Sequence, residues 1–60
     1  MTRRDYVALA AALRAARPSI HNVPGMAAWG AAVRAVSDCL KADNTRMVPE
    51  RFERAAGLEE

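Results

Sequence analysis

The chemistry open to this chain rests on very few side chains. His21 is its only histidine and Cys39 its only cysteine. A histidine can act as acid, base or metal ligand, and a thiolate can act as nucleophile or ligand. Each role needs partners: a cysteine nucleophile needs a base held beside it, and a structural metal needs a cluster of Cys and His at ligand spacing. Neither pattern is present. His21 lies in a Pro- and Gly-punctuated stretch and reads as a solvated loop histidine. Cys39 falls on a helical stretch and reads as an inert thiol packed against it. No pair of titratable groups is spaced for acid/base work and no cofactor motif is visible, so the sequence predicts no enzyme, no metal and no cofactor.

The residues left over are suited to binding. Trp and Tyr are enriched where proteins hold partners, but Trp29 and Tyr6 sit at helical spacing with Val33 and Leu13, the pattern of core residues. Arg3 and Arg4 stand at the start of a helix. Two cations beside its exposed N–H groups oppose the macrodipole and make a positive pole suited to a phosphate or an acidic protein patch. Arg46, in a connector, completes the set Arg3, Arg4, Trp29 and Arg46 as the candidate interaction residues.

Charge narrows the partner only slightly. Nine basic against seven acidic residues leave a formal net charge of +2, too balanced to argue for nucleic acid by itself. The ends differ in sign. Residues 1–17 carry Arg3, Arg4, Arg14 and Arg17 against Asp5; residues 43–60 carry three arginines against Asp43, Glu50, Glu53, Glu59 and Glu60.

Three helices must position these residues within 60 residues. A domain of that size buries only about 60% of its unfolded surface, so regular helix packing or self-association has to support it. One cysteine allows no internal disulfide. The first helix is expected over residues 3–16. Thr2 caps it with Asp5 in a capping box, and Tyr6, Leu9, Ala10 and Leu13 form its buried stripe. Pro18 ends it. Residues 18–25 read as a loop with Ile20 and Val23 tucked beneath it.

The second helix is expected over residues 26–42, with Trp29, Val33, Val36 and Leu40 on one face. Gly30 within it costs about 1 kcal/mol of helix propensity, a cost consistent with another backbone passing close by. The third helix, residues 49–56, starts at Pro49 and stops at Gly57, with Phe52 and Ala56 inward and Leu58 folding back. The 14 alanines make a thin core. Those at positions 27, 28, 31, 32 and 35 ring the second helix beyond its main stripe, a surface on which a C₂ homodimer could form. Arg14 and Arg17 interrupt the Ala-rich stretch after Arg4, so it is not expected to be a signal peptide, and no run approaches the ~20 apolar residues of a membrane span. A cytoplasmic protein with a reduced thiol, touching no membrane, is expected.

The ends of the chain resemble a group of short uncharacterised bacteriophage and prophage proteins. Those open with Thr-Arg-Lys-Asp-Tyr followed by Ala-Leu-Arg-x-Ala-Arg-Pro, and they end with Asp-Asn-Pro-Arg-Phe, a spacer and Arg-Phe-x-x-Ala-x-Gly. Thr2–Tyr6, Ala12–Pro18, Asp43–Met47 and Arg51–Gly57 correspond. Thr45 replaces the usual proline, Met47 the usual phenylalanine, and Pro49 enters the spacer. The resemblance implies a genomic setting and no mechanism.

The sequence thus predicts an all-α, single three-helix domain. It leaves two functions open: a protein-interaction module acting on a host protein, and a small nucleic-acid-associated protein using the arginines. The long connections at 18–25 and 43–48 do not fit a helix-turn-helix, which needs a turn of about 3–4 residues.

Overall fold

A computed structural model describes residues 2–58. They form three helices, α1 (Arg3–Ala15), α2 (Val23–Asp43) and α3 (Pro49–Ala55). The domain is all-α, as its periodicity predicts. The 21 residues of α2, at a helical rise of about 1.5 Å each, set the long dimension of a molecule measuring 34 × 17 × 14 Å.

Each helix end has a local cause. At the start of α1 the Asp5 N–H donates to Thr2 Oγ1 (3.4 Å), and the Thr2 N–H donates back to Asp5 Oδ2 (2.9 Å). This is the reciprocal capping box the sequence predicts. At the end of α1 the absence of an N–H on Pro18 shapes the last turn. Arg14 O accepts from the Arg17 N–H instead (3.2 Å). Leu13 O, left without its i+4 partner, accepts from Trp29 Nε1 at 2.8 Å.

α2 begins at Val23, three residues earlier than predicted. Asn22 is its N-cap, with Oδ1 accepting from the Gly25 N–H at 3.1 Å. Pro24 falls in the first turn, where a missing N–H costs nothing. Pro-Gly reads as loop punctuation in sequence, yet here it is the start of a helix. Gly25 is the residue that fits, because a Cβ there would collide with the Asn22 amide. The longer helix also overturns the expected placement of Ile20 and Val23. Neither tucks under a loop: they are 64% and 70% exposed.

α3 closes as predicted. Gly57 adopts φ 94°, its N–H donates to Arg54 O, and the Leu58 N–H reaches Glu53 O, both at 3.0 Å. This pair of bonds satisfies the last carbonyls of the helix.

The core is Ala10, Trp29, Val33, Leu40, Met47, Phe52 and Ala56, with Tyr6, Leu9, Leu13, Met26, Val36 and Leu58 packed against it. Every large apolar residue on the predicted stripes belongs to it. Tyr6 at the start of α1 accepts from Asn44 Nδ2 at the end of α2 (3.3 Å), and Trp29 near the start of α2 meets the end of α1, so these two helices run antiparallel. α3 lies against both. Its end, at Gly57, faces Arg14 and Arg17, so α3 runs in the direction of α1. Buried Ser37 ties it to α2, donating to Glu53 Oε2 at 3.3 Å.

Two further expectations change. A Cβ on Gly30 would lie 3.3 Å from Leu58 Cδ1, so the glycine makes room for a side chain and not for a backbone. Cys39 is exposed. Leu40 takes the inward position, and the 100° step per residue turns its neighbour to solvent.

Candidate functional site

The start of α1, the connector 44–48 and the outer side of α3 enclose an open groove of about 510 Å³. Buried Ala10, Met47 and Phe52 form an apolar floor, and exposed Ala55 and the hydrogen-bonded pair Tyr6 and Asn44 also line the groove. Two valines rise from its walls, Val7 from α1 and Val48 from the connector, 61% and 48% exposed. Arg3, Arg46 and Arg51 rim it, all exposed, and among the described residues no acidic one lines it. Among the described residues none of these three guanidinium groups has an ion pair or hydrogen bond. Arg14, Arg17 and Arg54, elsewhere on the molecule, are engaged.

Local bonding fixes the connector that forms one wall. Lys41 Nζ donates to Thr45 O (2.6 Å) and Met47 O (2.8 Å). Asn44 Oδ1 accepts from the Arg46 N–H at 3.1 Å, while Asn44 O accepts from the Met47 N–H at 3.0 Å. Backbone carbonyls that would otherwise face water are thereby tied to α2, and Arg46 and Val48 are presented from a braced segment rather than a slack one.

The candidate residues separate. Arg3 and Arg46 meet at the groove although 43 positions separate them in the chain. Arg4 is exposed but does not line it. The pole at the start of α1 is occupied in part from within, because the Asp5 carboxylate already sits on the Thr2 N–H. That bond holds the Asp5 carboxyl below its ordinary value of 3.8, outweighing a smaller upward push from desolvation. Trp29 is only 8% exposed and turns inward, its indole N–H spent on Leu13 and the Arg17 guanidinium 5.8 Å from its ring centre. Glu59 and Glu60, expected as the opposite charge cluster, lie outside the described residues. The alanines at 27, 28, 31, 32 and 35 are all exposed.

Val7, Val48 and Arg51 are groove residues that the sequence reading did not single out. The available signal was that Val7 lies off the buried stripe of its helix and Val48 precedes the helix-starting Pro49; an apolar residue off its own stripe has no internal partner. A second, shallower groove at the other end joins Ile20, Val23, Met26, Gly30, Arg34 and Leu58.

Among the described residues no group of three His, Cys, Asp or Glu side chains could hold a metal ion, and no helix is long and apolar enough to cross a membrane. His21 is exposed, its backbone N–H donating to Ser19 Oγ at 3.2 Å. No protein-family model, curated protein or solved structure matches the chain.

Proposed function

We propose that this chain is a small phage- or prophage-type helical protein that works as a non-catalytic interaction module, acting in the cytoplasm by occupying the surface of a host protein. The observation that supports this reading is the groove between α1 and α3. Exposed valines are ordinary singly. Here two of them flank an apolar floor, and three guanidinium groups without partners among the described residues surround it. Depletion of acids, enrichment of arginine and a desolvatable centre are the composition of a protein-binding patch.

The test is a photo-crosslinking amino acid placed at Val7, with the same probe at Ala35 on the exposed side of α2 as control. The reading expects one discrete protein adduct from a bacterial lysate at Val7 and none at Ala35. Equal labelling at both positions removes it.

A nucleic-acid role has one observation in its favour, the gathering of Arg3, Arg46 and Arg51 on one side. Phosphate binding gains nothing from an apolar floor, and a net charge of +2 supplies little general attraction. Titrating salt against binding to generic duplex DNA separates the readings, because phosphate contacts weaken steeply with ionic strength.

A further inference from the structure

We infer that the groove between α1 and α3 takes a short acidic amphipathic helix, about two turns long, from the partner protein. This rests on the interaction-module reading and gives the partner a chemistry.

Three observations converge on it. The first is backbone accounting. Both long walls are helices, whose interior N–H and C=O groups bond along their own axes and whose unbonded N–H groups are confined to the first turn, and among the described residues no strand borders the groove. An extended peptide therefore finds no edge to pair with, and recognition falls to side chains, as when a helix lies in a groove. The second is length. α3 has seven residues, and the matching wall of α1 runs from Arg3 to Ala10. Each spans roughly 10 Å at the helical rise, enough for two apolar anchors spaced i and i+4 to sit on the floor beside Val7 and Val48. The third is charge. Arg3 and Arg46 stand near one end of the groove and Arg51 along its α3 side, with no carboxylate among the described lining residues. A helix with glutamates or aspartates flanking its apolar anchors would engage guanidinium groups that have no partner among the described residues of this chain. An acid beside an apolar pair is what the groove lacks and what its rim attracts; a basic or uncharged helix would leave those three cations unpaired over a buried contact.

The experiment uses the full chain and labelled peptides. Each peptide is about 15 residues long, near the least at which an isolated helix persists. One carries leucines at i, i+4 spacing flanked by glutamates. A second has every glutamate replaced by glutamine, and a third has every leucine replaced by alanine. Binding is read by fluorescence anisotropy at low and moderate salt, beside a labelled DNA duplex. The inference expects the first peptide to bind at least about tenfold tighter than either control, with salt weakening it. Arg46→Glu with Arg51→Glu should lower that affinity by about tenfold or more, and so should Val7→Asp. All three positions are exposed, so circular dichroism and melting should stay at wild-type values.

Equal binding of the glutamate and glutamine peptides overturns the acidic helix, as does full affinity in the arginine-reversed chain. If no peptide binds while the crosslinker at Val7 still captures one protein, the acidic helix is wrong and the interaction-module reading stands. If no peptide binds and no adduct forms, both fall. Duplex binding lost on arginine reversal, with no peptide bound, assigns the groove to nucleic acid instead.

Discussion

Trp29 offers the sharpest test of how this small fold is held. Replacing it with Phe keeps an aromatic ring in the core but removes the N–H that satisfies Leu13 O at 2.8 Å. The bond is worth about 1 kcal/mol net, and the smaller ring forfeits roughly another 1 kcal/mol of packing. Of a total stability near 3–9 kcal/mol for a chain of this length, a loss of about 2 kcal/mol is large. It should lower the melting temperature by about 8–16 °C, read by circular dichroism at 222 nm. The cause can be separated from packing. Pro18 is why Leu13 O needs the indole, since the proline has no N–H to give Arg14 O and the Arg17 N–H is drawn there. In a Pro18→Ala background a new N–H can serve Arg14 O and release the Arg17 N–H to Leu13 O. Trp29→Phe should therefore cost about 1 kcal/mol less in that background, a coupling within the range that double-mutant cycles resolve. An identical cost in both backgrounds would refute the hydrogen-bond argument, and a shift under about 3 °C for Trp29→Phe alone would refute the packing as well.

Other substitutions probe the remaining joints. Phe52→Ala should cost about 3–5 kcal/mol, the usual loss for a buried phenylalanine, and leave little folded protein at 37 °C; a melting temperature within a few degrees of wild type would show Phe52 is not core. Asn22→Ala removes the cap of α2 and should cost about 1 kcal/mol, a loss that a helix starting at Met26 would not show in thermal melting. Gly30→Ala should be neutral or stabilising by up to about 1 kcal/mol, because the new Cβ would meet only side-chain tips, Leu58 Cδ1 at 3.3 Å and an Arg34 guanidinium nitrogen at an ordinary 3.6 Å; a marked loss would mean Leu58 is rigidly seated. Asp5 ionises more readily in the folded chain than its ordinary value of 3.8, so its contribution is present above that pH and lost as the pH falls through the lower folded value. Acid titration of helicity should thus be steeper below pH 4 in wild type than in Asp5→Asn, and superimposable curves would remove the capping carboxylate from the account.

Sequence alone determined what depends on bonds within about four residues and on periodicity. Thr2 and Asp5 mark the start of α1 because their capping bonds span three positions. Pro18 marks its end, and Gly57 the end of α3, for equally local reasons. The 3.6-residue repeat selects Trp29, Val33 and Leu40 as core whatever they pack against. Tertiary structure decided the rest. The start of α2 is the exception, since its cause is as local as the others: Asn22 caps Gly25 three positions on, a bond that the Pro-Gly punctuation of the sequence conceals. The groove is the clearest case. Arg3 and Val7 come from one end of the sequence and Arg46, Val48 and Arg51 from the other. Nothing local ties them together. They meet because α3, reversing from α2, runs in the direction of α1 and sets its start beside the start of α1, a register fixed by Phe52 and Met47 in the core and by Tyr6 against Asn44. Arg4 adjoins Arg3 in sequence but does not line the groove, because neighbours on a helix point about 100° apart.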